Sequence, residues 1–94
     1  MRRQYEYLLC QSQEGKITFV NNKYIGTFLG DQVVNEDRER MFDSCPAITV
    51  FLQDLGQQGW ELVSAYCVVG EYGMFERLYF KRAKRKGWPW GWSW

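Results

Sequence analysis

Few residues of this chain can do chemistry, and their spacing narrows what that chemistry is. There is no histidine, the side chain that most often serves as a general base near neutral pH. The serines are Ser12, Ser44, Ser64 and Ser93, and none stands in the G-x-S-x-G turn that exposes a nucleophile. Neither a P-loop nor a G-x-G-x-x-G is present, and the glycines of "GWPWGWSW" are spaced differently. The acids are scattered, with no D-x-D or E-x-x-H ligand spacing. Cys10, Cys45 and Cys67 are odd in number and form no CxxC, so neither a disulfide framework nor a zinc site is indicated. Three structural, mostly buried thiols in a reducing cytoplasm are expected instead. A Cys67 nucleophile would lack a base. The expectation is a protein that is not an enzyme and uses no cofactor and no metal.

What stands out is a concentration of charge and tryptophan at one end. Residues 1–80 carry seven basic and eleven acidic groups, a net −4, whereas "KRAKRK" at 81–86 carries +5. An acidic body beside a basic segment points to different partners for the two, or to mutual attraction. Trp88, Trp90, Trp92 and Trp94 follow, alternating with Pro, Gly and Ser. In an extended segment all four rings face one side. With Lys84, Arg85 and Lys86 they are the partner-binding candidates. Protein docking is the first reading, either to another copy or to a larger assembly, because Trp and Arg are enriched in binding hot spots. A second reading is a nucleotide or nucleic acid, including sequestration of a signalling nucleotide: the cations would meet phosphates and the rings would stack on bases. The third is attachment to a membrane surface, although Gly87, Pro89 and Gly91 oppose an amphipathic helix. Against all three stands the plain alternative that the tryptophans seal the protein's own surface.

The elements that must position these residues are those of a small globule. Ninety-four residues bury roughly 60–65% of the unfolded chain's surface, so one domain over 1–83 is expected, with a tail over 84–94. The start "MRRQYEYLLCQSQ" has no apolar run of signal-peptide length, and no stretch approaches the roughly 18 apolar residues of a membrane span. A cytoplasmic location follows as an expectation. "YEYLLCQ" predicts a strand with Tyr5, Tyr7 and Leu9 on one face and Glu6, Leu8 and Cys10 on the other. "SQEGK" predicts a turn with Gly15 left-handed, and "KITFV" the returning strand. "TFLG" is a candidate further short strand. The polar stretch 31–43 has no clean period and reads as a loop or a short solvated helix.

The clearest element comes next. Asp43 or Ser44 is placed to cap a helix, with Pro46 in its first turn. Ile48, Phe51, Leu52 and Leu55 form its apolar stripe. Gly59 fits the left-handed C′ position of a Schellman stop, which pairs Leu55 with Trp60. Gly56 then sits in the last turn, where glycine costs about 1 kcal/mol against alanine, and close backbone packing is the expected reason. "WELVSAYCVV", apolar on both faces, reads as a central strand. "MFERLYFKR" is its partner, with Leu78 and Phe80 on one face and Arg77, Tyr79 and Lys81 on the other. The predicted fold is α+β: an antiparallel sheet of four or five strands in the order ββαββ, with one helix packed on one face.

"YEYLL", "LGQQGWELVS" and the closing "YFKR" resemble a small bacterial and phage domain family of unknown function with a G-x-x-G-W-E-L-V…F-K-R signature. Here the signature comprises Gly56, Gly59, Trp60, Glu61, Leu62 and Val63. The resemblance covers the first strand and residues 51–82, and it implies a compact α+β domain without implying an activity. The long hairpin and loop of 11–44 and the Trp tail depart from the pattern. Within the signature, Glu61 alone has no packing role. A cross-strand pair with Lys81 or Arg82 is its expected use, with ligand binding the alternative.

Overall fold

The computed structural model describes residues 4–28, 35–71 and 73–84. In β1 (Tyr5–Gln13), Leu8, Cys10 and Ser12 are buried and their neighbours are not, the alternation of a strand with one face on a core. β2 (Lys16–Val20) returns antiparallel across Glu14 and Gly15, whose φ angles of 53° and 73° are those of a two-residue type I′ turn. Asn21 and Asn22, at φ 50° and 67°, repeat the device and lead into β3 (Lys23–Tyr24). The third strand therefore lies here and not in "TFLG": Thr27 and Phe28 are irregular, and Leu29 and Gly30 lie outside the described residues.

Two helices follow where the expected order has one, because the polar stretch takes the helical of its two readings; with β3 added, the order is βββααββ and not ββαββ. α1 (Asn35–Asp43) occupies most of the polar stretch, and α2 (Ile48–Gln57) is the amphipathic helix. Asp43 and Ser44 do not cap α2. Its N-cap is Ala47, extended at φ −62° and ψ 139°, with no side-chain cap. The turn between β1 and β2 takes that role: the Ile48 N–H donates to the Gly15 carbonyl at 2.9 Å, and the Ile17 N–H donates to the Pro46 carbonyl at 2.9 Å. A helix start needs acceptors for its free amides, and here one comes from more than thirty residues away. Ser44 instead joins α1 to the chain leaving β3. Its hydroxyl donates to the Met41 carbonyl at 2.8 Å and accepts from the Thr27 and Phe28 amides at 3.1 Å. The Tyr24 hydroxyl lies 2.9 Å away, so close beneath Gly26 that a Cβ there would overlap it.

The stop of α2 is as expected. Gly59 has φ 88°, its N–H donates to the Gly56 carbonyl at 3.0 Å, and the Trp60 N–H donates to the Leu55 carbonyl at 3.0 Å. These are the two bonds of the Schellman motif. Gly56 departs from expectation: it is exposed, and a Cβ there would meet nothing within 4 Å.

β4 (Glu61–Gly70) and β5 (Gly73–Ala83) form the last hairpin, and the five strands make one antiparallel sheet in the order β3-β2-β1-β5-β4. The chain thus has the α+β class and the antiparallel sheet that its patterning predicts. The central positions belong to β1 and β5, which pair from Tyr5↔Ala83 to Ser12↔Glu76. β4, expected to be central, is an edge. An apolar run reads the same whether a strand is covered on both faces or bare on both. α2 covers the face that carries Leu8, Cys10, Ile17, Leu78 and Phe80, inserting Phe51 and Leu55. It stops short of β4.

Candidate functional site

The signature residues divide between a structural knot and a bare strand. Trp60, pinned by the helix stop, is buried, and the Arg82 guanidinium lies 4.2 Å from its ring centroid. Arg82 is itself only 3% exposed. It forms an ion pair with Glu6, its register partner on β1, and donates to the Gln58 carbonyl at 2.9 Å. One arginine thus ties the helix stop, β5 and β1 together. Glu61 stands opposite Lys81 in register but forms no ion pair with it. Lys81 lies instead over the Tyr5 ring, 4.8 Å from its centroid. The cross-strand pair expected of Glu61 is made by Glu6 instead, on the other side of β5.

Leu62 and Val63 are the other half of the signature. Both are about half exposed, at 54% and 55%, and further along β4 Tyr66 is 43% and Val69 77% exposed. Register places Leu62, Ala65, Cys67 and Val69 on the α2 side of the sheet, opposite Phe80, Leu78, Glu76 and Met74 of β5. Ser64, Tyr66 and Val68 take the second side, opposite Tyr79, Arg77 and Phe75. A one-residue register shift between Leu62 and Ser64 leaves Val63 as a bulge.

The second side of the sheet is aromatic and cationic. Tyr66 and Tyr79 stack at 5.9 Å and 18° with their hydroxyls 3.2 Å apart. The hydrogen bond they share lowers the pKa of Tyr66 and raises that of Tyr79. The Arg77 guanidinium is held above its ordinary value by hydrogen bonding to these hydroxyls, Tyr66 first. It also lies 5.6 Å from the Phe75 ring centroid. Beside it is a cleft of about 370 Å³. Gln11, Gln13, Phe19 and Phe75 line it from the sheet, Arg38, Met41 and Phe42 from α1, and Glu71 from the β4–β5 turn. Following the face of Tyr5, Tyr7 and Leu9 two steps further would have reached Gln11 and Gln13. That α1 folds against them has no signal in its own sequence.

Of the expected partner-binding residues, Lys84 donates its backbone N–H to the Gln4 carbonyl at 2.8 Å. Arg85, Lys86, Trp88, Trp90, Trp92 and Trp94 lie outside the described residues. Cys10 and Cys45 are buried, but Cys67 is exposed, against the expectation of three mostly buried thiols. Burial pushes the Cys10 thiol up to about 12. Among the described residues no three His, Cys, Asp or Glu side chains gather as metal ligands, and no helix is long and apolar enough to cross a membrane. No family model, no characterised protein and no solved structure matches the chain. The family resemblance rests on the signature residues alone.

Proposed function

We propose that the chain is a non-catalytic protein-interaction module that self-associates, a second copy pairing with the free edge of β4. The observation that carries this reading is β4 itself: a ten-residue edge strand exposed along nearly its whole length and apolar on both faces. Edge strands offer a row of unpaired N–H and C=O groups, and monomeric proteins blunt them with charges, prolines or shortness. The opposite edge follows that rule, since β3 is two residues long and carries Lys23. β4 does not. From Leu62 to Gly70 it has no charge and no proline, and its bulge lies near one end.

A second copy suits this edge better than a generic partner. Antiparallel pairing of identical strands places a two-fold axis perpendicular to the sheet, so each face continues across the join. With no charge between Leu62 and Gly70, no like charges oppose one another in any centred register. The bare Leu62, Ala65, Cys67 and Val69 of both copies then form one apolar strip between the two α2 helices. The implied setting is a reducing cytoplasm, which the three free thiols suit. The family resemblance implies a compact α+β domain and no particular activity, which is compatible with this reading.

The test is mass in solution. Light scattering at about 100 μM, a concentration that would populate a dimer of micromolar affinity, is expected to return twice the monomer mass. Leu62→Lys and Val69→Lys, at positions already exposed, are expected to return the monomer with unchanged circular dichroism. A monomeric wild type, or lysine variants that stay dimeric, would overturn the proposal.

A further inference from the structure

The cleft on the second side of the sheet has a polarity that the β4 edge does not explain. Gln11 Nε2 donates to Gln13 Oε1 at 3.3 Å, and the Thr18 hydroxyl shares its one proton between the same oxygen at 3.1 Å and the Gln11 carbonyl at 3.3 Å. Gln13 Oε1 is therefore spent twice. What remains is Gln13 Nε2 as a donor and, from Gln11, Oε1 as an acceptor with the second N–H of Nε2 beside it, none with a hydrogen-bond partner among the described residues. Both side chains line the cleft. A donor beside an acceptor, held by a third residue, is the complement of the donor–acceptor edge of a nucleobase. The surrounding walls are flat and apolar: Phe19, Phe42 and Phe75. Aromatic faces of this kind stack on bases of any identity.

Charge separates the two ends of this surface. Glu71 sits at the β4–β5 turn, next to Gly70 and Gly73. Arg77 lies four residues up β5 from Gly73, roughly 13 Å at strand rise, and directly across from Gln11 in register. It also borders a small depression that adjoins the cleft, lined with it by Leu9, Gln11, Phe19 and Asn22. Arg77 makes no ion pair among the described residues; Tyr66 is its register partner on β4, and the Tyr66 hydroxyl bonds that of Tyr79, two residues along β5 on the same side of the sheet. One hydroxyl proton is spent between the two tyrosines, and the guanidinium with the remaining one is a set of donors suited to phosphate. At about 370 Å³ the cleft stands near the lower end of the roughly 300–1,000 Å³ typical of small-molecule sites. That size suits one nucleotide rather than two.

We propose that this cleft binds a mononucleotide, with the base among Phe19, Phe42 and Phe75, its edge read by Gln11 and Gln13, and the phosphate held by Arg77 with the remaining hydroxyl proton of the Tyr66 and Tyr79 pair. The proposal does not rest on pairing through β4, since the cleft is built within one copy. A base edge that presents an acceptor to Gln13 and a donor to Gln11 is preferred over one that reverses them.

The experiment is calorimetric titration of the full chain with the four ribonucleoside monophosphates, the matching nucleosides and inorganic phosphate. At least one monophosphate is expected to bind below about 1 mM and about tenfold or more tighter than its nucleoside, with phosphate alone not saturating. Arg77→Gln is expected to erase the difference between nucleotide and nucleoside while leaving nucleoside affinity in place. Gln13→Leu is expected to remove the preference among bases. Because Gln13→Leu also loses the Thr18 contact, amide shift mapping on the wild-type chain provides a second readout, with Gln11, Gln13, Phe75 and Arg77 expected to move together. No binding by any of the four monophosphates, shifts elsewhere, or an Arg77→Gln variant that still favours the nucleotide would overturn the assignment.

Discussion

Arg82 shows how much one side chain decides in a core this small. A guanidinium at 3% exposure is tolerable only because Glu6, the Gln58 carbonyl and the Trp60 ring surround it. Removing one partner of a buried pair leaves the other charge stranded, which typically costs about 3–5 kcal/mol. Glu6 is partly open to water, so about 2–3 kcal/mol is the reasonable scale for Glu6→Ala. Glu61→Ala, by contrast, removes a side chain with no ion pair among the described residues and should change stability by less than about 0.5 kcal/mol. Urea unfolding of the two variants side by side checks this. Equal losses would return Glu61 to the structural role that its place in the signature suggests. The helix stop needs no such correction: the spacing from Leu55 to Trp60 around Gly59 is a purely local pattern, and local patterns survive the step from sequence to structure.

Elements were legible to the extent that their determinants are local. The alternation of β1, the apolar stripe of α2 and the turn at Glu14–Gly15 depend on neighbours within a few residues, and the structure has all three. The start of α2 depends on a carbonyl in a distant hairpin, and the place of β4 in the sheet depends on β5 choosing β1 as its second neighbour. The sequence of β4 says nothing about either. The cleft was hidden for the same reason, since Gln11 and Gln13 line a cleft only once α1 stands over them. β4 also offers a chemical probe. Cys67 lies near the middle of Glu61–Gly70 and is exposed, whereas Cys10 and Cys45 are buried. A two-fold axis near the middle of the strand brings the two Cys67 side chains to within a few residues of each other on one face. A short bismaleimide is therefore expected to link wild-type chains into a covalent dimer, and to fail with Cys67→Ser and with Val69→Lys. Linkage that persists in Val69→Lys would place the contact somewhere other than β4.

At the scale of the whole molecule the sheet is lopsided. One edge ends in a two-residue strand, and the other in ten residues left bare by both helices. Among the described residues β5 is the one strand that pairs with β4, so in a monomer β4 should be less protected than the central pair β1 and β5. Pairing with a second copy changes that balance, because whatever binds only the folded state raises stability by mass action. The melting temperature of the wild-type chain is therefore expected to rise with protein concentration. For a dimer that dissociates as it unfolds, each tenfold increase adds about 1.4 kcal/mol per mole of dimer, shared by the unfolding of both chains, which corresponds to roughly 3–6 °C. Val69→Lys should melt at one temperature throughout, close to that of the most dilute wild type. Amide exchange sharpens the comparison: outward-facing β4 amides should be slowed in concentrated wild-type protein and not in the variant. A wild-type melting temperature that ignores concentration, with β4 amides exchanging freely at every dilution, would leave the edge unpaired and the ligand cleft as the better guide to what this protein does.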